Sequence, residues 1–166
     1  MGHLREKVEA ELEQIERVLG ELPEGHRIRR LSVLELAGTA SLLSSVYHGM
    51  ENVLKQGLLA LGLGLPSGPA WHRDLLRSAC EHGIVSVELR NRLAAYMAFR
   101  HFFTHAYGFQ LDPRKLAPLA RGVRAVSAAF EKEAKRMLRQ PATRRPRSHV
   151  RLGGKRRAAQ QLRRRG

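Results

Sequence analysis

Residues 32–61 read SVLELAGTASLLSSVYHGMENVLKQGLLAL, and the spacing inside this stretch decides the fold class. Leu36, Ala40, Leu43, Tyr47, Met50, Leu54, Gly57 and Leu61 recur at alternating steps of four and three. On a helix of 3.6 residues per turn that rhythm lays them along one inward stripe. Ser32 with Glu35 forms a capping box, in which hydroxyl and carboxylate each satisfy a backbone N–H at the helix start. The small residues Gly38, Ala40, Ser41, Ser44, Ser45 and Gly49 predict close approach of a neighbouring backbone. Gly62 to Gly68, with Pro66 inside, ends the helix.

The same period runs outward in both directions. Leu4, Val8, Leu12, Ile15, Leu19 and Leu22 mark a first helix that Pro23 and Gly25 stop, with Glu6, Glu9, Glu13 and Glu16 on its opposite flank. Pro69 predicts the first turn of a short third helix through Trp71, Leu75 and Ala79 to Gly83. Ser86 caps a fourth that runs past Arg100, and Asp112-Pro113 starts a fifth. That fifth helix carries Leu116, Leu119, Val123, Val126, Phe130 and Met137 on one face. No segment alternates with period two. The expectation is all-α: an up-down bundle of four to five helices over residues 1–139.

The chain has 166 residues, 30 Lys+Arg against 15 Asp+Glu, eight His and a formal net charge of +15. Twelve of the cations and no acid fall between Arg136 and Gly166, so residues 1–135 are near balance with 18 basic and 15 acidic side chains. Beyond Arg139 the apolar period collapses among Pro141, Pro146, Gly153 and Gly154. Residues 140–166 therefore read as a disordered basic tail, with a brief helix at most over 158–165. Its Arg144, Arg145, Arg147, Arg151, Lys155, Arg156 and Arg157 are candidate contacts to nucleic-acid phosphates. No aromatic follows Phe130, so the tail offers charge without base stacking. A single cysteine, Cys80, excludes an internal disulfide framework and a multi-cysteine zinc site. A charged N-terminus and the lack of any ~20-residue apolar run point to a cytoplasmic protein with no membrane contact.

Chemistry concentrates in residues 89–112, LRNRLAAYMAFRHFFTHAYGFQLD. The step that buries Leu89, Leu93 and Tyr96 also turns Arg100 inward, followed by Phe103 and Tyr107. A guanidinium cannot shed its charge, so its burial demands an anion. Either it pairs with an acid such as Glu35, Glu51 or Glu88, or it lines a cleft that takes an anionic ligand. His101 and His105 share a flank of the same helix. They are an i, i+4 pair, but no acid stands beside them to complete a metal site, and none is assigned. Arg100 and His105 are five apart, about 140° around an ideal helix, so they converge only if the helix loosens or two copies meet. A fixed cation beside imidazoles suits metal-free phosphodiester chemistry on RNA, with imidazole moving the proton of a 2′-hydroxyl.

Arg100-His-Phe-Phe-Thr-His105-Ala-Tyr107 resembles the R-x4-H-x-Y pattern of HEPN-domain proteins of the HepT toxin type, over about residues 30–135. That resemblance implies a HEPN-like bundle and a metal-independent endoribonuclease. Its composite site would form across a homodimer, with Arg100 and His105 catalytic and His101 as the polar residue after the arginine. It also implies a nucleotidyltransferase antitoxin that adds AMP to Tyr107. Tyr107 stands nearly two turns from Arg100, so an added phosphate would bring negative charge toward the substrate's place. No cofactor is implied, and the RNA could be tRNA or mRNA. The basic tail departs from the family pattern. The competing reading is a non-enzymatic helical module that docks a nucleotidyltransferase and holds RNA through its tail.

Overall fold

The computed structural model describes residues 2–105 and 111–139, and among these every regular element is helical. The order is α1 (Gly2–Glu21), a 3-10 turn (Ile28–Arg30), α2 (Val33–Ala60), α3 (Trp71–Glu81), α4 (Val87–His105) and α5 (Pro113–Arg139). The proposed tail, 140–166, lies outside the described residues. Among the described residues no helix is long and apolar enough to cross a membrane.

Contacts between elements fix their directions. Asn52 donates to Glu11 at 3.1 Å, and Gly49 abuts Ile15, so α1 runs antiparallel to α2. Gly57, late in α2, abuts both Ile84 just ahead of α4 and Met137 late in α5. Hence α4 runs against α2, and α5 runs with it. Between α4 and α5, the Tyr96 hydroxyl donates to the Leu119 carbonyl at 3.0 Å. Four long helices thus alternate up and down, and the short α3 packs against α2 and α4.

The predicted stripe of α2 is the core. Leu36, Ala40, Leu43, Tyr47, Met50, Leu54 and Gly57 are buried, Leu61 half so, and the helix touches every other α-helix. The capping box forms as expected at Ser32 and Glu35. Close approach occurs at two glycines. A Cβ on Gly49 would stand 2.8 Å from Ile15, and one on Gly57 would stand 2.6 Å from the Met137 sulfur. Gly38 has open space around it, and Ser41 and Ser45 are exposed, so the small-residue stripe does not serve contact along its length.

Two details depart from the sequence reading. α3 begins at Trp71 with Ala70 as an uncapped N-cap, so Pro69 precedes the helix instead of opening it. A 3-10 turn, which the period could not show, buries Ile28. Gly83 ends α3 at φ +73°, a left-handed conformation that a side chain would oppose. The start of α4 is capped twice: Ser86 accepts from the Leu89 N–H, and Glu133 of α5 accepts from both the N–H and the hydroxyl of Ser86 at 2.6 and 2.7 Å.

Burial pushes the Tyr96 hydroxyl from its ordinary 10.0 up to about 12, against a smaller opposing pull from Arg92. Because the folded value is the higher one, its contribution is complete below pH 10 and lost as pH rises toward 12. Tyr96→Phe is expected to cost about 1 kcal/mol at neutral pH through loss of the bond to Leu119. Urea unfolding of both proteins at pH 7, 10 and 11.5 should show the gap between them closing in alkali.

Candidate active site

The period that turns Arg100 inward leaves one fifth of its side chain exposed, on the face of α4 that meets α2 and α3. Its partner is Glu51, the one acid of α2 beyond the first turn, whose side chain is 0% exposed. Of the three acids available from sequence, the fold selects this one. Arg100 Nε lies 3.6 Å from Glu51 Oε2. An ionised carboxylate shut away from water is costly unless neutralised where it stands.

Two histidines also stand around the carboxylate. His72, in the first turn of α3, sets Nδ1 at 2.5 Å from Glu51 Oε1, while His48 on α2 sets its Nδ1 at 3.8 Å from Oε2. Arg100 Nη1 in turn lies 3.0 Å from His72 Nε2 and 3.4 Å from its Nδ1. Donor rules fix the sense of the bonds. A carboxylate only accepts, so the His72 Nδ1–H points to Glu51, while Arg100 Nη1, within 3.4 Å of both ring nitrogens, lies over the ring. Trp71 packs on the His72 ring with centroids 3.5 Å apart, and Lys55 sits 4.7 Å above the indole.

Tyr47 lies one turn before Glu51, and its buried hydroxyl has no hydrogen-bond partner among the described residues. Burial, then the negative charge of Glu51, push its ionisation well above the usual tyrosine range, against a smaller pull from Arg100. It stays a neutral neighbour of the pair.

The cluster opens onto a groove of about 350 Å³ between the start of α3 and α4. Pro69, His72 and Arg73 form one wall, and Met97, Ala98 and His101 the other. His101 is therefore beside the cluster. His105 is exposed at the end of α4, where its Nδ1 donates to the His101 carbonyl at 2.8 Å and its ring lies 4.8 Å from that of His101. The structure thus gathers Arg100, His101, His72 and Glu51 on one side of the bundle, and it shows no contact between Arg100 and His105. Tyr107 and the tail cations Arg144, Arg145, Arg147, Arg151, Lys155, Arg156 and Arg157 lie outside the described residues.

His72 and His48 were too scattered in sequence to assign. Glu51 carried a usable signal, as a lone acid in a helix otherwise made of apolar and small residues. No group of three or more His, Cys, Asp or Glu among the described residues is arranged to hold a metal ion.

The family described as HepT-like protein matches residues 38–140, which takes in α2 from its second turn through the end of α5. Searches of curated proteins and of solved structures found no match.

Glu51→Ala is expected to destabilise the fold by about 3 kcal/mol, because it strands Arg100 without its anion. Urea unfolding at pH 7 checks this, and a loss below about 1 kcal/mol would place the pair among weak surface ion pairs instead.

Proposed function

The chain belongs to the HepT-like family, and from that membership and the surroundings of Arg100 we propose that it is a HEPN-type toxin that cleaves RNA without a metal. The observation that carries this reading is a permanent cation with Nε 3.6 Å from a buried carboxylate and Nη1 against His72, itself in the wall of an open groove that also takes in His101. Such a guanidinium offsets negative charge as it grows on a phosphoryl group in the transition state.

The reaction is transesterification. An imidazole takes the proton of the 2′-hydroxyl, and O2′ forms a bond to phosphorus as the bond from phosphorus to O5′ breaks. A protonated imidazole delivers its proton to the leaving O5′. The products are a 2′,3′-cyclic phosphate and a free 5′-hydroxyl, with atoms and charge balanced. The dependence on O2′ makes the substrate RNA. His105 takes one of these roles across a homodimer, since on a single helix it points about 140° away from Arg100. His101, adjacent to both, is a second imidazole of the site. The cations of residues 140–166 hold RNA through its phosphates, with an affinity that falls as salt rises.

Control falls to a nucleotidyltransferase antitoxin that transfers AMP from ATP to the Tyr107 hydroxyl, with pyrophosphate as the leaving group. The added phosphate brings negative charge that takes up Arg100 in place of the substrate's phosphate, so modification competes with RNA.

Purified protein is expected to cleave RNA in EDTA and leave 2′,3′-cyclic ends, with Arg100→Ala and His105→Ala each abolishing cleavage. A module that only binds would behave differently: Arg100→Ala would keep both RNA binding and toxicity, and removal of residues 140–166 would end them. Co-expression with a small nucleotidyltransferase should place AMP on Tyr107, detectable by peptide mass spectrometry, and Tyr107→Phe should escape neutralisation.

A further inference from the structure

We propose that His72, oriented by Glu51, is an acid–base residue of this site, and that the groove between α3 and α4 seats the nucleotide on which it acts. This rests on the ribonuclease reading above. It adds to that reading a residue from outside the R-x4-H-x-Y stretch, 28 positions before Arg100.

The argument begins with the hydrogen on His72. Glu51 is fully buried and can only accept, so it holds the ring with Nδ1–H inward. In the uncharged ring the lone pair then sits on Nε2, with Arg100 Nη1 over the ring 3.0 Å from that nitrogen. A carboxylate behind an imidazole fixes its tautomer and stabilises the imidazolium that forms when the far nitrogen takes a proton. Packing of Trp71 against the ring adds a second restraint on its orientation. The side chain keeps about a quarter of its surface exposed, so Nε2 is not sealed off.

The groove supplies what an RNA nucleotide requires. Arg73 stands beside His72 and offers a cation for a phosphate, while Met97, Ala98 and Pro69 give apolar walls for sugar and base. His101 faces His72 from the other wall, so one imidazole comes from α3 and one from α4. When a phosphate enters, it is a stronger acceptor for Arg100 Nη1 than a neutral ring is. The guanidinium turns to it without leaving Glu51, because Nε makes that contact. Nε2 of His72 is then placed to take the proton of the 2′-hydroxyl, and the protonated His105 imidazole, reaching in across the homodimer, returns one to O5′.

The bland alternative is that His72 only fills out the charge balance of Glu51. His72→Asn separates the two readings, since the asparagine amide can still donate to Glu51 from near the place of Nδ1 but has no group that titrates. The proposal expects kcat to fall about 100-fold with KM within threefold of wild type, and the acidic limb of the kcat profile to disappear. A variant within threefold of wild type in kcat, with that limb unchanged, would sink the proposal and leave the ribonuclease reading standing. Wild-type protein that leaves RNA intact in EDTA from pH 5 to 8 would remove both. Should the variant not fold, the wild-type His72 ring signals can be followed by NMR during addition of uridine 3′-monophosphate. A saturating shift supports the proposal, and signals unmoved through millimolar nucleotide overturn it.

Discussion

A carboxylate with no access to water has to be met by positive charge where it stands, and Glu51 sets that demand at the middle of the central helix. The charge comes from Arg100 on α4, and a hydrogen bond from His72 on α3. α3 has only 11 residues and no side-chain cap, too short to be stable alone, so it depends on tertiary anchors. Leu75, Leu76 and Ala79 provide the apolar ones and His72 the polar one. The ion cluster therefore does two things at once. It joins α2, α3 and α4, and it holds a cation and an imidazole at the edge of a groove.

Stability alone gives no reason for building the junction this way. Apolar side chains of similar volume in place of a buried ion pair are often neutral or better for the fold. The surrounding core supplies many such residues: Leu43, Met50 and Leu54 on α2, and Leu89 and Leu93 on α4, all buried. A charged set placed in their midst, with Arg100 and His72 each about a fifth exposed, accords with a site in which a guanidinium keeps a fixed direction. Glu51 Oε2 stands 3.6 Å from Nε as an ionic neighbour without a hydrogen bond, and so biases the guanidinium toward one orientation.

Much of the fold was legible because it follows from period. The α2 stripe, its capping box and the starts of α4 and α5 follow from local spacing and local hydrogen bonds, which the sequence displays directly. Arg100 was legible for the same reason, as a charge in an apolar row. His72 was not, because its place depends on which helices cross and at what height. Its partners are 21 and 28 residues away, and no periodic rule links separate helices. The onset of α3 was missed for a related reason. Pro69 is suited to a first turn, yet the chain turns through Gly68-Pro69-Ala70 before the helix begins, and Trp71 and His72 reach the site from that later start.

The two positive regions of the chain work in different electrostatic regimes, and the difference orders their roles. Charges in water separated by more than about 8 Å are largely screened at physiological salt. The twelve cations after residue 135 can gather a polyanion, but with a grip that salt weakens. Arg100, four-fifths covered and set against a buried carboxylate, is screened far less, so its effect on a bound phosphate persists when the long-range attraction has faded. Attraction without direction belongs at the end of the chain. Direction belongs where a buried carboxylate stands against one edge of the guanidinium.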